Sequence, residues 1–236
     1  MPSCHIKSKD LKDLLKNFIH PKKFIALGFF PKEMIIQNIS RQEKFLVEAR
    51  IPIYQSTFEN TFFNLEASNI KHLGKDENNS GDILIEVLEP LPILEIRSGN
   101  NIRKYRIINY TKRQFHVDPP EDYNLKFIDS NKVLAKGLKP LKNEFKWIFI
   151  NILEKGLDFI INNKEFNSIR LSYSKEDIGD SFCYFQDIKC QFLFEPIINF
   201  LDKYCPIKWV FGANKELFLS KQINSLVINI IMLSSL

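Results

Sequence analysis

The chain has 236 residues, 44% hydrophobic and 26% charged, which excludes a disordered polymer and leaves room for one large domain or two of about 100 to 130 residues. It has only eight glycines and no G-x-G-x-x-G or G-x-x-x-x-G-K-[ST] run, which excludes the glycine-rich phosphate loops of nucleotide-binding folds. Thirty-three basic against 28 acidic residues give a net charge of +5, which permits nucleic acid or an anionic surface as partner without demanding either.

The first element is a helix in KSKDLKDLLKNFI, where Leu11, Leu14, Leu15 and Phe18 recur on one face. Ser8 can cap its start, and Lys9, Lys12, Asp13 and Lys16 lie opposite. Three strands follow in KFIALGFF, MIIQNIS and KFLVEARI, divided by the turns PKE and RQE. A second block opens with the strand TFFNL and the helix EASNIKHLGK, whose apolar face is Ala67, Ile70 and Leu73. After the loop DENNSG come the strands DILIEVL, PILEIRS and RKYRIIN.

Residues 110–122, YTKRQFHVDPPED, break this rhythm with paired prolines and no period, so they are expected to link two domains, 1–109 and 123–236. The third block is the strand YNLKFI and the helix DSNKVLAKGLKPLK. Val133, Leu134, Leu138 and Leu141 form its apolar side and Lys132, Lys136 and Lys139 the other. The strands FKWIFINIL, GLDFIINN and FNSIRLSYS complete it. The fourth runs from YFQDIKCQ through FLFEPIINFLDKYC and IKWVFGANKELFLS to SLVINIIML. The same order therefore occurs four times, with a period of about 55 to 60 residues. The expected fold class is α+β: two similar domains, each of two helix-plus-antiparallel-strand units, with the helices on one face.

The outer faces of these helices are unevenly basic. The first offers Lys9, Lys12 and Lys16, the second Lys71, His72 and Lys75, and the third Lys132, Lys136, Lys139 and Lys142. The fourth offers only Lys203, beside Asp202. One lysine-rich helix face is ordinarily a solvated face. Three on one side of a molecule would make a single basic surface, suited to phosphate contact rather than base readout.

Little in the sequence points to catalysis. His5, His20, His72 and His116 make no ligand spacing with each other or with Cys4, Cys183, Cys190 and Cys205. The cysteines form no C-x-x-C pair and are expected as free thiols. Asp118, Glu121 and Asp122 could serve a metal-dependent nuclease, but their proline-rich setting reads first as a solvated loop. No catalytic residue, metal or other cofactor is expected. MPSCHIKSKDLKD has no apolar leader, and the apolar tail Leu226 to Leu236 is too short to span a bilayer, so a soluble intracellular protein without a membrane partner is expected.

The element order, with YRIINYTKRQFHVDPPEDYNLKF, FLFEPIINFLDKYC and ELFLSKQINSLVINIIMLSSL, resembles the sliding clamps of the proliferating cell nuclear antigen type along essentially the whole chain. Typical cellular clamps are acidic overall, whereas this chain has a pI near 8.9, as in a divergent viral or plasmid-type factor. The resemblance implies a non-enzymatic DNA sliding clamp or processivity factor that holds a polymerase or other replication proteins on double-stranded DNA, without regard to sequence. It places Lys9, Lys12, Lys16, Lys71, Lys75, Lys132, Lys136 and Lys139 on the DNA-facing side. It puts Phe115, Val117, Pro119 and Pro120 beside a pocket for partner peptides. It makes Arg103, Tyr105, Ile107, Ile169, Leu171 and Tyr173 part of edge strands that pair between subunits of a homo-oligomer, with a trimer favoured. The nucleus or a viral replication site is the implied location. A clamp-fold viral late transcription factor or a checkpoint-clamp subunit is the alternative.

Overall fold

Alternating apolar and polar residues account for most of the architecture. The computed structural model describes residues 1–17, 24–40, 44–66, 68, 81–111, 117–130, 132–141, 145–162, 168–178, 182–201 and 205–235. In the first half of the chain the strands are β1 (Ser3–Lys7), β2 (Phe24–Phe29), β3 (Glu33–Ser40), β4 (Phe45–Pro52), β5 (Thr61–Glu66), β6 (Asp82–Leu88), β7 (Ile93–Ser98), β8 (Asn101–Arg106) and β9 (Asn109–Thr111). In the second half they are β10 (Tyr123–Asp129), β11 (Trp147–Leu153), β12 (Gly156–Asn162), β13 (Ser168–Ser174), β14 (Cys183–Tyr184), β15 (Ile188–Leu193), β16 (Ile207–Gly212), β17 (Glu216–Ile223) and β18 (Leu226–Leu233). The described helices are α1 (Ser8–Asn17), α2 (Val133–Leu138), α3 (Lys175–Ile178) and α4 (Phe194–Phe200).

The chain divides into two compact units. One is Met1–Ile39, Val47–His116 and Ile223–Ile228; the other is Ser40–Leu46, Val117–Gln222 and Asn229–Leu236. The first holds a four-stranded sheet of order β1-β6-β7-β8 and a run β4-β3-β2-β5-β9. The second holds β13-β12-β11-β15 and a run β14-β10-β16-β17-β18. Each block thus lends its leading strand away. β1 leads the α1, β2–β4 block but pairs with β6, His5 facing Leu84. β5 leads the next block but pairs with β2, Phe62 facing Gly28. In the second unit β10 pairs with β16, and β15 with β11.

The cores follow from this exchange. Ile83, Ile85 and Val87 of β6 turn inward, as do Ile148, Ile150 and Ile152 of β11. In the first unit the Phe29 ring stacks on Phe58 at 4.5 Å and on Phe63 at 5.6 Å. In the second, the buried Trp209 stacks on Phe127 at 5.7 Å and meets Phe159 edge-on at 6.3 Å.

The helices are short and tied down by specific polar contacts. On α1, Asp10 accepts a hydrogen bond from Ser225 Oγ, and Asp13 accepts one from Asn224 Nδ2 at 2.9 Å. The predicted helix over 129–142 contracts to α2 with a 3₁₀ turn at Lys139–Leu141, because Pro140 cannot continue an α-helical ladder. Its start is set by Asp129 at the end of β10. The Asp129 carboxylate accepts from Val133 N–H at 2.8 Å and from Leu134 N–H at 3.2 Å, while Lys132 takes a left-handed φ of 58°. Burial pushes the Asp129 carboxyl above the ordinary range even though these backbone donors oppose the rise. At the end of α4 the buried Lys221 ammonium donates to Phe200 O at 3.0 Å, where the helix dipole favours a cation. The predicted helix of the second block lies almost entirely outside the described residues. β1, β14 and α3 are elements the sequence reading did not anticipate.

Replacing Asp129 tests this cap. Asp129→Ala is expected to lower unfolding free energy by about 0.5–2 kcal/mol, the usual cost of a lost N-terminal cap. Asp129→Asn keeps an acceptor and sheds the buried charge, so it should cost clearly less. Urea denaturation of both variants reads the difference.

Candidate functional site

Three surfaces hold the residues singled out in the sequence. On the helices, Lys9 and Lys136 are exposed, and Lys12, Lys132 and Lys139 are half-buried. The side chain of Lys16, and Lys71 and Lys75 altogether, lie outside the described residues. The two carboxylates of α1 accept hydrogen bonds from Asn224 and Ser225, which tie the helix to the β17–β18 turn. Among the described helices α4 is the least basic, with Glu195 in its first turn and no basic residue in its last.

The second surface surrounds the segment entering β10. Val117 is fully buried in a cluster with Leu46, Val210 and Phe218, and Tyr123 and Ile231 pack against it half-buried. Asn229 Nδ2 donates to Val117 O at 3.3 Å, while its own buried Oδ1 has no hydrogen-bond donor among the described residues. Pro119 is exposed, and Pro120 is half-buried against Gly212. Phe115 lies outside the described residues. The Tyr123 ring meets Phe185 edge-on at 5.3 Å, and the Lys126 ammonium sits 5.7 Å from its centroid. Phe185 is 64% exposed. On the neighbouring strand, burial and the Lys126 charge lower the pKa of Lys208. The surface therefore offers aromatic and aliphatic anchors beside two cations. Asp118, Glu121 and Asp122 are exposed, and among the described residues no three His, Cys, Asp or Glu side chains are grouped to hold a metal. Leu46, Tyr123, Val210, Phe218, Asn229 and Ile231 come together from five strands, with Phe185 just past β14, and carried no local signal.

The third surface is the set of small-sheet ends. β1 is covered on its outer side, where His5 exchanges backbone bonds with Tyr54 at 2.8 Å and Ser3 O accepts from Thr57 N–H. β15 is covered by the C-terminal segment, with Ser235 N–H donating to Gln191 O at 2.9 Å. No further strand or bridge pairs with β8 or β13 among the described residues. Within them, Tyr105 and Ile107 are buried, and Ile107 falls just past β8, its N–H donating to Pro92 O. Arg103, Ile169, Leu171 and Tyr173 are half-buried. The Tyr173 hydroxyl lies over Gly137 of α2, so close that any Cβ there would displace it. These side chains hold each edge strand to its own body and leave backbone as the outward feature.

A buried carboxylate stands one strand in from each of these edges. Glu95 of β7, 3% exposed, takes Arg97 and Lys104. Asp158 of β12, 5% exposed, accepts from Ser172 Oγ at 2.6 Å and from Arg170. Hydrogen bonds from Arg97 hold the Glu95 carboxyl below its ordinary range. Burial alone would raise Asp158, but the Ser172 and Arg170 bonds outweigh it and keep the group low.

No family profile matches the sequence, and no curated protein does. Among solved structures, the whole chain matches 99% of a chain in the structure described as "C-terminal region of FEN-1 bound to A. fulgidus PCNA", with a TM-score of 0.79 at 12% identity. The fold is thus that of a PCNA-like clamp, a mixed α/β arrangement dominated by antiparallel strands. No described helix is long and apolar enough to cross a membrane.

The acid brace at β13 has a pH signature. The folded Asp158 carboxyl titrates below its unfolded value, so its contribution is complete above about pH 4 and fades as pH falls through the folded pKa. Wild type should therefore lose more thermal stability between about pH 6 and about pH 3 than Asp158→Asn, which lacks the charge throughout. Calorimetry of the two proteins at matched ionic strength checks the difference.

Proposed function

We propose that this chain is a DNA sliding clamp or processivity factor that tracks duplex DNA and tethers replication proteins to it. The observation that carries the reading is a likeness to a clamp fold that covers the whole of the given chain. In this reading residues 1–109 and 123–236 are the two clamp domains, joined by 110–122, and the protein is not an enzyme. Holding DNA topologically needs only diffuse contact with phosphate. Lys9, Lys12, Lys16, Lys71, Lys75, Lys132, Lys136 and Lys139 would supply it from the helices, without reading bases.

The surface around Val117, with Pro119 and Pro120, takes the peptide segments of partner proteins. The neighbouring structure is described as holding a C-terminal region of another protein, which supports that use. Tyr123, Phe185 and Ile231 supply partly exposed apolar contact. β8 and β13 join subunits by strand addition, which a head-to-tail arrangement can close into a ring. A site of action on replicating DNA, in the nucleus or a viral replication compartment, follows from the role.

Two measurements test the reading. With Lys9, Lys12, Lys136 and Lys139 changed to Gln, the log–log salt slope of binding to a labelled 30-base-pair duplex should flatten by up to about 3 to 4, near 0.9 per lost phosphate contact. An unchanged slope removes the DNA-facing assignment. Ile231→Glu should weaken a fluorescent peptide carrying one aliphatic and two adjacent aromatic residues by about tenfold while leaving the duplex slope alone. Equal peptide affinity in both proteins would locate partner binding elsewhere.

A further inference from the structure

Two ammonium groups share one face of the run β14-β10-β16-β17-β18 without a carboxylate to meet. In the register of β10 and β16, Lys126 stands opposite Val210 and Ile128 opposite Lys208. Lys126 and Lys208 are therefore diagonal neighbours on adjacent strands, about 7 Å apart at their Cβ atoms. Both are half-buried, and neither joins an ion pair among the described residues. The fall in the Lys208 pKa, from burial and from the Lys126 charge, marks a like-charge pair held partly out of water.

The surrounding positions do not relieve it. Cys183 of β14 pairs with Lys126 and Ser220 of β17 with Lys208, so the flanking strands place no acid beside either cation. Asp118, Glu121 and Asp122, in the segment entering β10, are exposed, and none lies within ion-pair distance of either ammonium. Asp122 O accepts from Ala213 N–H and Glu216 from Asn214 N–H, at the far end of β16. From Gly212 at that end to Lys208 is four residues, about 13 Å of strand. Asp187 accepts from the Tyr184 hydroxyl at 2.7 Å, and Tyr184 pairs with Leu125 on the opposite face.

The pair is also separate from the helix lysines. Leu125, Phe127 and Asp129 alternate with Lys126 and Ile128 and turn to the other face, where Phe127 stacks on Trp209 and Asp129 caps α2. On the face of the pair the neighbours are apolar. Val210 belongs to the Val117 cluster, and Tyr123 packs against that cluster. Ile128 is 40% exposed and Phe185 64%. Duplex phosphate gains nothing from such an apolar margin. A peptide uses both parts, its apolar side chains on the cluster and a nearby carboxylate between the two ammonium groups. Opposite charges brought together across an interface favour binding and discriminate against the wrong partner.

We propose that the partner segment docking at the Val117 surface is acidic, with Asp or Glu next to its apolar anchors to engage Lys126 and Lys208. The inference rests on the reading of this surface as a peptide site and adds the charge that its peptide carries.

Fluorescence anisotropy with three synthetic peptides tests this. All carry one aliphatic and two adjacent aromatic residues, flanked on both sides by Glu, by Gln or by Lys. Wild type should bind the Glu peptide about five- to tenfold more tightly than the Gln peptide, and the Lys peptide least tightly. Added salt should narrow the gap. Lys126→Gln/Lys208→Gln should bind the Glu and Gln peptides alike, and should melt no lower than wild type because it removes a like-charge contact. Lys126→Glu/Lys208→Glu should invert the order and favour the Lys peptide. Equal wild-type affinity for the Glu and Gln peptides overturns the inference and leaves the peptide site standing. A preference for Glu that survives both double variants overturns it too. If the Gln variant flattens the salt slope on the 30-base-pair duplex and leaves the peptide order unchanged, the pair serves nucleic acid and the inference fails. Failure of the underlying reading is distinguishable, since then none of the three peptides binds.

Discussion

The exchange of leading strands is the constraint on which the rest of the molecule depends. A meander of three strands with one short helix has too little buried face to stand alone. By lending β1 to the β6-β7-β8 meander and taking β5 in return, two such blocks become one core. β10 and β15 repeat the arrangement in the second unit. The exchange also decides which backbone stays open. The lent strands β1 and β15 end their small sheets and are covered by chain at Tyr54 and Ser235. The opposite ends, β8 and β13, come last in their meanders and receive no such cover among the described residues. An outermost strand without such cover among the described residues is thus a product of topology, one in each unit.

Much of this was legible in the sequence, for a physical reason. Strands with a strict two-residue period, such as DILIEVL and FKWIFINIL, declare both their type and their buried face. The four-fold recurrence of helix and meander could be counted for the same reason. β1 was not read because SCHIK is short, and only its pairing with β6, some eighty residues on, makes it a strand. β14 has two residues and exists only as a partner of β10. α2 came out shorter because Pro140 outweighed the periodicity of the leucines around it. Of the surface residues, Val117 could be named from its place in the linker. Leu46, Val210, Phe218 and Ile231 could not, since sheet order alone brings them together. The lysines were visible as a pattern, but the engagement of Asp10 and Asp13 by Asn224 and Ser225, more than two hundred residues on, was not.

Glu95 and Asp158 show how the outermost strands of the small sheets are held. A strand at the end of a sheet frays unless side chains hold it, and here the hold is ionic. Each carboxylate lies one strand inside the edge and draws a cation outward of it into its field, Lys104 on β8 and Arg170 on β13. Each pair joins a buried carboxylate to a largely exposed cation, so it adds little net stability, but it fixes which residues stand opposite one another at the end of the sheet.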